Sequence, residues 1–295
     1  MTNEADRTAT WRATLFVVLA ACGFGSISVL MVVGQRHGLT LASAMAWRYL
    51  LATPFLLALA GTNLRMVTVR RGTALVVVGG VGQVAVSAIS LSALQWIDVA
   101  TLGFLFYTYP AWVALVSAVR GIDRVDARKV TALALALGGI VTIVGAPHTV
   151  ALPAIGVTLA LSAAFIYAAY IPTLHWLRGP LDAATASAFV IAGAAAVYLA
   201  AAVWRGELHA SQPGAAWAIV ATLAVGCTVI TFIAFLNGLA VLGPVRTAII
   251  STVEPFYTTV LGAIVLGQLA GPGTIVGGVL IASAVLLLQR QPISP

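Results

Sequence analysis

Two fully charged side chains, Arg48 and Glu254, stand inside otherwise apolar runs, and their neighbours set what chemistry they can do. Glu254 belongs to a stripe: Thr247, Ser251, Glu254 and Thr258 recur at i, i+4, i+7 and i+11, one face of a helix. Gln83, Ser87 and Ser90 form a second stripe at i, i+4 and i+7, and Thr228 with Thr231 a third. Such faces either bond to a neighbouring helix or border a cavity that holds water or a small solute. Gln83 is the most telling of the neutral groups, because its amide offers both donors and an acceptor where water is scarce.

Aromatic residues supply the complement. Phe104, Phe106, Tyr107, Tyr109 and Trp112 crowd one stretch; Phe165, Tyr167, Tyr170 and Trp176 crowd another, which also holds Pro172 and His175. Tyr107 and Tyr109 fall about mid-run, where a hydroxyl needs a buried partner or a cavity. Pro172 frees a backbone carbonyl and can kink its helix. His175 is either a proton-sensitive group or an interfacial packing residue. The candidate site therefore comprises Gln83, Ser87, Ser90, Phe106, Tyr107, Tyr109, Tyr167, His175, Thr228, Thr231, Ser251, Glu254 and Thr258.

These residues do not build an enzyme. Too few ionisable groups lie within the apolar runs to assemble a nucleophile or an acid–base set. The sequence has no phosphate-binding Gly-Lys-Ser/Thr loop, no His-Glu-x-x-His and no Gly-x-Ser-x-Gly, so no cofactor and no metal are expected. Cys22 and Cys227 lie in apolar runs, where a thiol acts as a small hydrophobe rather than half of a disulfide.

The elements that position these groups follow from composition. Of 295 residues 61% are hydrophobic and 8% charged, too few charges to cover a water-soluble domain. A membrane span takes about 20 apolar residues. Apolar runs fall near 13–33, 41–60, 72–94, 99–119, 128–145, 153–177, 184–204, 214–238, 243–266 and 273–289. In hydrocarbon each backbone group must be satisfied within its own segment, so these are expected to be ten transmembrane helices of an all-α membrane protein in contact with the lipid bilayer. The first run reads as an uncleaved span rather than a signal peptide.

Basic residues give the direction. On alternate sides of this map, twelve Lys and Arg (Arg7, Arg12, Arg65, Arg70, Arg71, Arg120, Arg124, Arg128, Lys129, Arg178, Arg246 and Arg290) face two, Arg36 and Arg205. The richer side is cytoplasmic by the positive-inside rule, which places both termini there. The net charge of +7 is spread through short loops without a basic–aromatic cluster, so it marks orientation and not a nucleic-acid partner.

The halves of the chain are related. Pro110 laid on Pro255, an offset of 145, matches the pattern of 98–110 to that of 243–255 and places Asp123 on Gln268 and Ala132 on Gly277. Phe24 aligns with Phe165, and Gly38 with Gly179, at an offset of 141. Two five-span halves, 1–148 and 149–295, follow within one membrane domain. An odd number of spans inverts the second half, and inverted repeats put a solute site between the halves near the bilayer midplane. Phe106 and Tyr109 then take the repeat positions of Ser251 and Glu254, aromatic surface in one half and polar surface in the other.

The ten-span plan, Arg48 in the second span, Pro110 in the fourth, Glu254-Pro255, Leu266-Gly267-Gln268 and Gly277 together resemble the drug/metabolite transporter superfamily, specifically its bacterial EamA branch. The resemblance covers essentially the whole chain. Members often carry an acid where this chain has Gln268, while Asp123 keeps one in the first half. The resemblance implies a secondary transporter in the bacterial cytoplasmic membrane that exports small metabolites, amino acids first, by alternating access. A passive facilitator or channel remains open. So does a carrier of sugar-linked or phosphorylated solutes, although only Arg48 offers a basic group at depth.

Two structural expectations complete the reading. At about 1.5 Å per residue, Glu254 lies roughly 16 Å from the cytoplasmic end of its span and Arg48 roughly 10 Å from the outer end of its own. Across a core of about 30 Å their depths differ by only about 4 Å, so an Arg48–Glu254 ion pair or gate is expected. The alternative is that Arg48 snorkels or caps backbone carbonyls. Gly139, Gly145 and the Gly273-x-x-x-Gly277 spacing predict close helix packing, within a monomer or at a homodimer contact.

Overall fold

The computed structural model describes residues 4–119, 127–145, 152–209 and 213–289. Among the described residues the chain is helical throughout, without strands. In chain order the α-helices are α1 (Glu4–Arg36), α2 (Leu41–Ala60), α3 (Val69–Ala74), α4 (Gly80–Ser92), α5 (Val99–Phe106), α6 (Tyr109–Val119), α7 (Ala127–Gly145), α8 (Ala154–Arg178), α9 (Ala183–Trp204), α10 (Gly214–Ala221), α11 (Thr231–Ser251), α12 (Val253–Leu266) and α13 (Pro272–Gln289). A π-helical segment, Leu75–Gly79, joins α3 to α4, and another, Thr222–Ile230, joins α10 to α11.

Six of the helical stretches are long and apolar enough to cross a membrane: Thr8–Arg36, Leu41–Met66, Val69–Gln95, Ala154–Arg178, Ala184–Trp204 and Gly214–Gly238. Four apolar helices are shorter: Val99–Val113, Val130–Gly145, Val253–Leu266 and Pro272–Leu287. The differences from the sequence-based bounds have physical causes. Proline lacks the N–H that continues a helix and disfavours helical geometry in the residue before it. The expected run 99–119 breaks at Tyr107 and Thr108, just ahead of Pro110; the expected gap between the runs 214–238 and 243–266 is instead helix, because α11 continues through it, and the run 243–266 breaks at Thr252, three residues ahead of Pro255.

Helix starts are fixed by side-chain oxygens that accept otherwise orphaned backbone N–H groups. Thr40 accepts from Ser43 (3.2 Å), Thr68 from Arg71 (3.4 Å), Asp98 from Thr101 (2.7 Å) and Asp182 from Thr185 (2.8 Å). Burial works against the charge of Asp182, but hydrogen bonds from Thr185 and Asn63 outweigh it and hold its carboxyl below the usual range. At the other end of α12, Gly267 adopts the left-handed conformation (φ 70°), and the Gln268 N–H returns to the Gly262 carbonyl, a left-handed C-terminal cap. The Gln268 side chain accepts from the Val99 N–H (3.1 Å), so the amide does at this helix end what a carboxylate would do.

The interior is built largely of alanine and glycine, which let backbones approach closely. α2 packs along α9, and Ala44, Ala46 and Ala52 of the first lie in one cluster with Ala188, Ala194 and Ala202 of the second, all fully buried. α7 packs along α13, where a methyl placed on Gly277 would stand 2.6 Å from the Gly139 carbonyl oxygen. Gly139 and Gly277 are therefore consumed by packing within one chain and are not free for a dimer contact. Gly145 faces open space and takes no part in close packing. α1 packs on α11 and α12, and α8 packs on α4, α5 and α6. Large apolar side chains such as Phe16, Phe55, Val141, Trp204 and Ile264 point outward, far more exposed apolar surface than a water-soluble protein carries.

Candidate functional site

The site residues fall into two clusters, each created by a departure from regular helix. The first lies where α5, α6, α8 and α12 meet. Because Pro255 has no N–H, the Ser251 carbonyl four residues earlier loses its helical donor. The Tyr107 hydroxyl replaces it, 2.8 Å from the Ser251 oxygen, and lies 2.8 Å from Glu254 Oε2 as well. A phenol has one hydrogen. It serves one acceptor at a time, unless the carboxyl carries a proton of its own and donates back. Glu254 also occupies the first turn of α12, the helix end that favours negative charge.

Rings extend from this carboxyl. Tyr107 and Tyr109 have centroids 5.8 Å apart, Tyr109 and Tyr167 4.9 Å, Phe106 and Tyr167 5.2 Å, and Phe106 and Tyr109 5.9 Å. The hydroxyls of Tyr109 and Tyr167 make no hydrogen bond to the described residues, and neither is among the side-chain atoms sealed without a partner. They are therefore partly accessible rather than sealed. Phe106, Tyr109, Tyr167, Ser251 and Glu254 are all half-buried, as the lining of an internal cavity would be.

The second cluster lies between α2, α4, α9 and the π segment Thr222–Ile230. Arg48 is buried, donates from Nε to Thr228 Oγ1 (2.9 Å), approaches Met45 Sδ through Nη1 (3.8 Å) and lies 5.1 Å from the centre of the Tyr49 ring. The wider turn of the π segment puts the Leu223 carbonyl within reach of the Thr228 hydroxyl (2.8 Å), which fixes the acceptor that Arg48 meets. Gln83 donates to the Tyr49 hydroxyl (3.3 Å), the Tyr49 and Tyr198 rings are 5.8 Å apart, and Ser87 and Tyr198 share a hydrogen bond of 2.9 Å.

Tyr170 stands between the clusters. Its ring is 6.4 Å from that of Tyr167, and its hydroxyl donates to the Gly79 carbonyl (2.9 Å) at the end of the other π segment.

The expected Arg48–Glu254 pair is not formed. Arg48 is held by Thr228 and Tyr49, Glu254 by Tyr107, and among the described residues Arg205 pairs with Glu207 at 3.9 Å. Similar depth in the membrane says nothing of position within the membrane plane, and the two groups belong to different clusters.

Other expected residues have packing roles. Thr258 is buried and donates to carbonyls of Gly25 and Glu254 (3.0 Å each), and Thr231 is buried, bonds to Gly226 (2.7 Å) and packs on Gly23, so both join α1 to the bundle. Ser90 bonds back to the Ser87 carbonyl (3.3 Å). The side chain of His175 and the whole of Asp123 lie outside the described residues. Tyr49, Tyr170 and Tyr198 were not among the expected site residues. Each carries a hydroxyl in an apolar run, the same signal that singled out Tyr107 and Tyr109. Among the described residues no group of three His, Cys, Asp or Glu side chains could hold a metal ion, and both cysteines are free thiols.

Among the described residues, an all-helical body with an apolar exterior and six helices long enough to span a bilayer defines a multi-pass membrane protein. Residues 154–290 match the profile of the EamA-like transporter family, which is part of the drug/metabolite transporter superfamily. A search of curated proteins found no match. One solved crystal structure, described only as that of a protein, is similar over 94% of this chain and 96% of its own, with a TM-score of 0.65 and 17% identity, a likeness of fold.

Proposed function

We propose that the protein is a secondary transporter that exports small metabolites, amino acids foremost, by alternating access across the bacterial cytoplasmic membrane. In this reading the six long and four shorter apolar helical stretches are ten spans in two inverted halves, with both termini in the cytoplasm. The packing supports that division: α1 on α11 and α12 has its counterpart in α8 on α4, α5 and α6. The helix breaks ahead of Pro110 and Pro255 and the two π segments also fall at related places in the two halves.

The observation that carries the function is the half-buried aromatic wall of Phe106, Tyr109 and Tyr167 closing on Glu254 at a broken helix. Apolar surface with a few convergent polar groups is the chemistry of a small-solute site, and a discontinuous span at depth is where transporters bind their cargo. The test is uptake and counterflow in vesicles reconstituted with the full chain, over a panel of amino acids, with and without a pH gradient. Saturable movement of at least one amino acid is expected. If none moves under either condition, the amino-acid assignment is wrong.

A further inference from the structure

Arg48 is a cation without an anion. It is 5% exposed, and each described carboxylate whose contacts are known is engaged elsewhere: Asp98 by Thr101, Asp182 by Thr185 and Asn63, Glu207 by Thr40 and Arg205, Glu254 by Tyr107. A guanidinium left unneutralised inside an apolar bundle is costly, and a thioether and a ring face offset only part of that.

Its hydrogen-bonding fork is also half used. Nε is committed to Thr228 and Nη1 leans on Met45, but Nη2 has no partner among the described residues. Nor is Nη2 sealed, because the buried side-chain atoms without partners among the described residues are Ser43 Oγ, Trp47 Nε1 and Arg178 Nε. Nη2 therefore borders space that a small polar group can enter. Trp47 Nε1, a donor, lies on the same stretch of α2 as Arg48 and also has no partner among the described residues.

We infer that Arg48 receives the carboxylate of the transported solute, gripping it through the Nη face while Thr228 holds Nε and so sets the plane of the fork. The assignment rests on the reading of the interior as a solute site and names the chemistry of one end of the cargo. A planar guanidinium matches a carboxylate bidentately. One buried positive charge balances a monoanion; a phosphate dianion would bring a second negative charge with no basic side chain bonded into the cluster to meet it.

The test uses the purified full chain in lipid nanodiscs, with the thermal midpoint titrated against propionate and benzoate and against propionamide and benzamide. The acids are expected to raise the midpoint saturably, with an apparent affinity about ten- to a hundredfold better than their amides. Arg48→Gln is expected to erase that preference, and Arg48→Lys, which keeps the charge without the fork, to retain part of it. Equal behaviour of acid and amide in the wild type overturns the assignment, and this comparison needs no variant to fold. A preference that survives in Arg48→Gln also overturns it, and inorganic phosphate binding more tightly than either acid overturns the choice of a monoanion. In vesicles the two readings separate. No amino acid moving while the acid preference persists defeats the amino-acid reading alone; amino acids moved at the wild-type rate by Arg48→Gln defeat the role of Arg48 alone.

Discussion

The carboxyl cluster around Glu254 and the guanidinium cluster around Arg48 use opposite ways of making room for polar groups in an apolar bundle. At Glu254 the helices are cut: proline removes a donor, a carbonyl is orphaned, and a tyrosine from another element fills the gap. At Arg48 the helices run on but are overwidened, and hydroxyls of the π segment satisfy carbonyls five residues back. A cut leaves side chains that can move with either fragment. A π turn ties its hydroxyls to its own backbone. The first cluster has the open hydroxyls of Tyr109 and Tyr167; in the second, Tyr49 and Tyr198 each have a hydrogen-bond partner, Gln83 and Ser87.

That contrast is open to direct attack. The largest effect is expected from Glu254→Gln, which keeps size and hydrogen bonding but removes the titratable proton: counterflow in vesicles should fall by about a hundredfold, as loss of a group acting on the cargo or on coupling requires. Undiminished counterflow would make Glu254 a packing residue. Next comes Tyr107→Phe, which strips the donor from the Ser251 carbonyl and should destabilise the protein by about 1–3 kcal/mol in chemical or thermal unfolding. Tyr198→Phe breaks one bond, to Ser87, whose hydroxyl keeps the Gln83 carbonyl, so a loss of about 1 kcal/mol is expected. Smallest is the effect on stability of Tyr109→Phe and Tyr167→Phe, within about 0.5 kcal/mol because no protein partner is lost. Their effect should appear instead in the transport KM. If Tyr107→Phe and Tyr109→Phe cost the same stability, the distinction between a structural and an open hydroxyl fails.

The helical runs could be read from sequence because hydrocarbon tolerates only long apolar helices; α2 coincides with its expected bounds, and α7, α8, α9 and α13 begin or end within one residue of theirs. Two members of the carboxyl cluster, Tyr107 and Glu254, were legible as polar groups within apolar runs, and a hydrogen bond joins them. What eluded the sequence was lateral placement. Arg48 and Glu254 can be given depths by counting residues, but which helix faces which depends on Ala-on-Ala and Gly-on-Gly contacts such as those of α2 with α9, and these leave no periodic mark in an alanine-rich chain. The π segments were equally hidden, because Leu75–Gly79 and Thr222–Ile230 have the composition of ordinary membrane helix.

The bond from Val99 N–H to Gln268 gives the two breaks a common consequence. It joins the start of α5 to the residue just past the end of α12, and each of these helices is severed from its other half beside a proline. That bond ties the start of α5 to the end of α12, at the ends of the two half-helices that lie away from their breaks. The two half-helices form a yoke, pinned at one end by an amide and hinged at the other, with the carboxyl and its tyrosine seated at the hinge.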